Sequence, residues 1–254
     1  MSASDDIRAA IGFLTSLPLA GHRPSAAAPA PSASSMNWFP PVGAAIGWAL
    51  GGSWSFLGRR FPPLAAATLV VVSDCALTGA LHLDGLADSA DGLLAHVPSK
   101  ARLDIMAEPQ VGVFGVAAVT LERLCRTAAL ASFPPSPALL AAIYCSSRSA
   151  MVLASRALPY AREKGLATAF LPEAGGAALG AGLVGSLAAI ACAGAVAGRK
   201  GTTAVLAGWL TSAAVLALAN RRLGGFTGDV LGAAAVLGET VALLSLSASS
   251  GRAM

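Results

Sequence analysis

An all-α, polytopic transmembrane helix bundle of about seven spans in a single domain is the fold class predicted for this chain. Three observations predict it. The composition is 55% hydrophobic and only 12% charged, with a mean hydropathy of +0.68, whereas soluble domains carry roughly a quarter of their residues charged. Apolar stretches recur near the ~20 residues that a helix needs to cross ~30 Å of hydrocarbon. Ala and Gly dominate those stretches, as in GAALGAGLVG at 176–185, and such small residues let helices approach closely where lipid offers no hydrophobic drive to associate.

In chain order, 7–19 is a short apolar segment preceded by Asp5 and Asp6. A secretory leader wants a positive start, so a membrane-surface or re-entrant helix is expected there. Residues 23–35, rich in Pro, Ala and Ser, read as a flexible loop. Residues 1–41 are therefore expected as surface helix and loop, followed by a bundle over 42–250. Its predicted spans are 42–58, 62–81, 111–133, 138–158, 176–198, 202–220 and 230–250. Glu122, Arg123 and Arg126 interrupt the third and Arg148 the fourth; such charges turn toward the bundle or a partner, not toward lipid. Asp74, in the second, reads as a local structural group. Trp38, Trp48, Trp54 and Trp209 read as belt or packing residues. Cys75, Cys125, Cys145 and Cys192 lie in apolar spans without paired spacing and read as buried thiols.

The net charge is +4 with a pI near 9.2. The positive residues are scattered over loops rather than gathered in a patch, which excludes a nucleic-acid surface and points to topology and to anionic lipid or phosphate. Arg8, Arg23, Lys100, Arg102, Arg156, Arg162, Lys164, Arg221 and Arg222 fall on one side of the predicted spans, against Arg59, Arg60, Arg199, Lys200 and Arg252 on the other. By the positive-inside rule the first side is cytoplasmic. Every segment with chemical character falls there too.

The strongest chemical signal is HLDGLADSADG at 82–92. In a helix, spacings of four and three put Asp84, Asp88 and Asp91 on one face. Three like charges so close repel and take up protons unless a cation neutralises them. Hard carboxylate oxygens at that density suit Mg²⁺, with Mn²⁺ or Ca²⁺ as weaker candidates. Zinc through His82 and His96 is disfavoured, because no spacing here assembles a tetrahedral His and Cys set.

These residues support a comparison. HLDGLADSADG, preceded by LTGA at 77–80, resembles the signature of the cobalamin synthase family, the adenosylcobinamide-GDP ribazoletransferases. GFLTSLPL at 12–19 and FPPVGAAIG at 39–47 are similar to that family's first segments. LDIMAEPQVGVFG at 103–115 resembles its second block, YAREKGL at 160–166 the third and LGGFTGDVLGAAAVLGE at 223–239 the last. The likeness covers the chain end to end. It departs in the second block, where Glu108, Pro109 and Gln110 stand for the usual Asp, Ser and basic residue, and Val113 for a hydroxyl residue.

The resemblance implies that an alcohol of α-ribazole, or of its 5′-phosphate, attacks the cobinamide-side phosphorus of adenosylcobinamide-GDP and that GMP leaves, with Mg²⁺ required. It implies Asp84, Asp88 and Asp229 as catalytic residues, and Asp84, Asp88, Asp91, Glu108 and Asp229 as the metal-holding set. The expected substrate contacts are His82, Arg102, Arg148, Arg162 and Lys164, with Lys100 a further candidate; guanidinium forks suit the diphosphate better than ammonium groups do. Arg148 needs an anionic partner, either a substrate phosphate or Glu122, and Glu239 is expected beside an intramembrane arginine. The expected setting is the inner, cytoplasmic membrane, multi-pass, with the active site facing the cytoplasm, lipid as partner and room for a homo-oligomer. Other classes fit less well. A CDP-alcohol phosphotransferase would have Arg where DGLAD has Asp88, a secondary transporter would show an inverted repeat and acids at the midplane, and a noncatalytic scaffold would leave the acidic trio unexplained.

Overall fold

The computed structural model describes residues 2–18, 32–162, 165, 168, 170 and 177–250. Among them the chain is all helical, with a single isolated bridge between Tyr160 and Phe226. The helices are α1 (Ala3–Leu14), α2 (Phe39–Leu57), α3 (Pro63–Thr78), α4 (Leu81–Leu94), α5 (Ser99–Ile105), α6 (Val113–Ala131), α7 (Pro137–Ala157), α8 (Ala177–Leu223) and α9 (Gly228–Ser250). Helix α1 starts on a capping box, Ser2 and Asp5 each accepting the other's backbone amide. The end of the expected N-terminal loop is a 3₁₀ helix, Ala33–Trp38. Ser32, Ser34 and Ser35 donate hydroxyl bonds of 2.8, 2.9 and 3.1 Å to Asp6 and so fasten it to α1.

Small residues set the packing. On α2, Gly43, Gly47 and Gly51 recur every fourth residue, and a β-carbon on any of them would strike the backbone of α7 at Tyr144, Leu140 or Pro137 within 2.7 Å. The two backbones touch, as expected where lipid leaves dispersion to drive association. Helix α8 is broken at Gly198, which adopts φ 57° and ψ −143°. Residues eight apart in a continuous helix lie ~12 Å apart, yet a β-carbon on Gly201 would sit 2.0 Å from the Ala193 carbonyl oxygen. The chain therefore doubles back there.

The expectation of about seven spans is not confirmed. Three helices, Pro137–Ala157, Leu179–Leu223 and Gly228–Ala248, are long and apolar enough to cross a membrane, or up to four if the bent pair α3–α4 counts as one. The reasons are local. Helix α3 ends after 16 residues, and α6 carries Glu122, Arg123 and Arg126 within its 19.

The turn from α3 into α4 positions the acidic segment. Gly79 (φ 61°) and Ala80 (φ 56°) are both left-handed, and α4 leaves α3 at 92°. Ala80 is the only non-glycine with positive φ among the described residues, a conformation that costs an L-residue about 1–2 kcal/mol.

At the centre of the bundle lies a charged core. Arg126 donates to Glu122 (2.9 Å), Glu239 (2.9 Å), Asp74 (3.3 Å) and the Tyr144 hydroxyl (3.0 Å), and that hydroxyl donates to Asp74 at 2.8 Å. Arg123 pairs with Glu122 and Asp74, and Arg148 with Glu239. Three guanidinium groups thus face three carboxylates, which is how charge is tolerated inside an apolar bundle.

Candidate active site at the α4–α9 junction

Helix α4 is two-faced. Leu86, Ala90 and Leu93 are buried and roof an apolar cavity of about 380 Å³ bounded by α6, α8 and α9. Asp84 is exposed on the opposite face, and Asp88 and Asp91 are half-buried there, as the spacing requires. Gly85 permits the close approach of α9: a β-carbon on it would lie 2.7 Å from the Asp229 carbonyl oxygen and 2.9 Å from its Cα. The aspartate of the last sequence block is thereby brought to the face that carries the first block. Asp229, Asp84 and Asp91 each repel a charge on Asp88, and Arg162 attracts it.

Asp229 stands in the first turn of α9, where the helix dipole favours an anion. Thr227 caps that helix: its Oγ1 accepts from Val230 N (3.3 Å) and donates to Asp229 Oδ2 (3.3 Å). The third block reaches the same place through the backbone. Ala161 N donates to Phe226 O (2.8 Å), Phe226 N donates to Pro159 O (2.9 Å), and the Tyr160 and Phe226 rings meet edge-on at 5.4 Å. Burial pushes the Tyr160 hydroxyl up from its ordinary value. This clasp sets Arg162 Nη1 3.2 Å from Asp229 Oδ2, while its Nη2 donates to Met106 O at 3.1 Å.

The remaining expected residues separate into those the fold brings together and those it does not. Asp91 sits on the acidic face, but its carboxylate accepts from Gly112 N (2.7 Å) and Gly115 N (2.9 Å) and so caps α6. Asp84 and Asp88 accept no hydrogen bond among the described residues. Glu108 is exposed in the turn after α5, and no side-chain bond joins it to the aspartates. Among the described residues, no three His, Cys, Asp or Glu side chains converge where one ion would touch all of them.

Of the expected substrate contacts, Arg162 lies at the acidic face. Arg102 instead donates from Nη1 to the carbonyls of Gly92 and Leu93, both at 2.9 Å, and Arg222 joins it at Leu93. The two guanidinium groups close the C-terminus of α4, where carbonyls and dipole favour cations. Arg148 (1% exposed) and His82 (5% exposed) are buried in the charged core, and the partner of Arg148 is Glu239, not a solvent-facing phosphate site. Lys164 lies outside the described residues.

Sequence reasoning missed Thr227, and it missed the extent of the core around Arg126, Tyr144 and Thr240. Glu122 and Arg126, four apart inside an apolar stretch, were the signal that could have disclosed the core.

Four carboxylates (Asp84, Asp88, Asp91, Asp229) and one guanidinium, Arg162 paired with Asp229, thus gather where the first, third and last sequence blocks meet. Compared with known proteins, the chain is matched over residues 6–247 by the model of the cobalamin-5-phosphate synthase family.

The chain belongs to this family.

It is similar to the adenosylcobinamide-GDP ribazoletransferase of Azorhizobium caulinodans, with 36% identity over 95% of this chain and 94% of that one. The proteins of that name from Syntrophobacter fumaroxidans (37%, covering 95% and 96%) and Stutzerimonas stutzeri (37%, covering 96% and 98%) are similar over the same extent. No solved structure matches it. In this member of the cobalamin-5-phosphate synthase family, then, the aspartates meet by a helix crossing at a glycine.

Proposed function

We propose that the protein is a membrane-bound adenosylcobinamide-GDP ribazoletransferase: the hydroxyl of α-ribazole, or of its 5′-phosphate, bonds to the cobinamide-side phosphorus of adenosylcobinamide-GDP, the bond from that phosphorus to the GMP oxygen breaks, and GMP leaves. The single observation that carries the reading is the meeting of Asp84 and Asp88 on α4 with Asp229 on α9 beside Arg162. A diphosphate would be repelled by four carboxylates and one guanidinium alone.

The donor set fits Mg²⁺. Asp84 and Asp88 have oxygens free of hydrogen bonds among the described residues, and this ion typically takes one or two carboxylates with substrate phosphates completing its shell. Asp84 and Asp88 would hold it, with Asp229 beside them. Once bound, the ion would neutralise charge on the diphosphate and on the departing GMP. Arg162 holds Asp229 in place, and the N–H groups it does not spend on Asp229 and Met106 O can donate to a phosphate oxygen. Asp91 acts at one remove by fixing α6 against α4, and Arg102 and Arg222 do the same for the end of α4.

We further place this end of the bundle at the cytoplasmic face of the inner membrane, on the strength of the Lys and Arg distribution. Membranes carrying the protein should release GMP from adenosylcobinamide-GDP only when α-ribazole and Mg²⁺ are both supplied. Asp84→Asn, Asp88→Asn and Asp229→Asn should each abolish that release. Release that persists in EDTA would refute the metal assignment.

A further inference from the structure

The acidic face of α4 works only if the helix keeps its rotation, since a slip of one residue turns a helix by about 100°. Its second half is anchored by Asp91 on α6 and by Arg102 and Arg222 at its end. Its first half, which bears Asp84 and Asp88, begins on the left-handed pair Gly79–Ala80 and has no side-chain cap. Among the described residues, the one side-chain hydrogen bond from that half to the rest of the bundle is made by His82, whose Nδ1 lies 3.2 Å from Arg148 Nη2.

We propose that His82 is a positioning residue, neutral and protonated on Nε2, that locks the first turn of α4 to the ionic core and thereby aims Asp84 and Asp88 at the substrate. An arginine side chain only donates hydrogen bonds, so Nδ1 must accept here and cannot carry the proton. Arg148 is itself immobilised by Glu239 of α9 and by Ser147, which receives a bond of 2.7 Å from it. The ring is wedged against α9, because a β-carbon on Gly232 would stand 3.4 Å from its Cδ2 and 3.1 Å from its Cα. His82 Nε2 is buried without a protein partner among the described residues. The residue also lines a polar cavity of about 10 Å³ shared with Asp74, Thr78, Arg123 and Glu239, which has room for about one water to accept a hydrogen bond from that N–H. The chain of contacts α9–Glu239–Arg148–His82–α4 therefore spans the same crossing that Gly85 and Asp229 make directly.

This inference rests on the reading that Asp84 and Asp88 serve the transfer, so its test separates the two. The full-length protein in lipid nanodiscs is assayed for GMP release over a Mg²⁺ titration as wild type, His82→Ala and His82→Asn, the last keeping an acceptor oxygen at the place of Nδ1. His82→Ala should raise the Mg²⁺ concentration for half-maximal rate about tenfold, the scale seen when groups supporting a metal's ligands are removed, and His82→Asn should restore it to within about twofold. The ¹⁵N spectrum of histidine-labelled wild type, with the His82 signal identified by its loss in His82→Asn, should show its proton on Nε2. A His82→Asn variant as impaired as His82→Ala, or a His82 proton on Nδ1, overturns the proposal. So does an unchanged Mg²⁺ requirement in His82→Ala while the wild type still depends on the ion. A wild type indifferent to Mg²⁺ overturns the metal reading and this proposal together.

Discussion

Gly85 and Asp229 meet backbone to backbone: a β-carbon on Gly85 would lie 2.9 Å from the Cα of Asp229. Replacing glycine by alanine inside a helix ordinarily gains up to about 1 kcal/mol, whereas forcing a methyl into closed packing costs about 1–3 kcal/mol. The contact is with backbone, which cannot step aside, so the second effect wins. Gly85→Ala should lower the unfolding temperature and cut GMP release more than tenfold through a displaced Asp229, as thermal melts and initial rates would show. A fully active, equally stable variant would mean that α4 and α9 need not touch.

Asp91 and Asp84 share a helix face but should fail differently. Asp91→Asn puts an amide group against the Gly112 or Gly115 N–H, leaving one donor of α6 unpaired at a cost of about 1–2 kcal/mol. Asp84 is exposed and accepts no hydrogen bond among the described residues, so Asp84→Asn should change stability by less than about 0.5 kcal/mol while abolishing turnover. Melting curves measured beside rates distinguish the two.

Glu239 compensates two buried guanidinium groups, Arg126 and Arg148. Glu239→Gln should destabilise the protein by about 3–5 kcal/mol, since it leaves buried charge uncompensated. Adding Arg148→Gln should recover part of that loss, and a double-mutant cycle on detergent-solubilised protein reads the coupling.

The bend before α4 depends on two left-handed residues. Gly79→Val should cost about 1–2 kcal/mol or more, because a β-branched side chain at φ 61° meets the following carbonyl. Ala80→Gly relieves that same penalty at the next position and should melt no lower than wild type.

At the N-terminus, burial alone would push the Asp6 carboxyl up, but hydrogen bonds from Ser32, Ser34 and Ser35 outweigh it and hold the group below the usual carboxylate range. A lowered folded-state value means that the clasp contributes stability above the unfolded-state value of about 3.9 and loses it as pH falls through the lower folded one. Hydrogen exchange in the 3₁₀ helix Ala33–Trp38 should therefore rise only below about pH 4, and Asp6→Asn should remove that step.

The all-helical class, the placement of α2, α6, α7 and α9, and the shared face of Asp84, Asp88 and Asp91 were all legible in the chain, because hydropathy, small-residue content and helical period are properties of neighbouring residues. So was the pairing of some intramembrane arginine with Glu239, because an isolated charge there is too costly to persist. What only the tertiary structure decided is which of those groups face one another. That Asp91 caps α6, that Arg102 closes α4, that Arg148 and His82 turn inward and that Arg162 reaches Asp229 all depend on contacts between residues 9 to 67 positions apart. No local rule specifies them: they follow from a 92° bend after Thr78, a glycine crossing at 85 and a backbone clasp at Tyr160, and each trades one long-range partner for another of nearly equal chemistry.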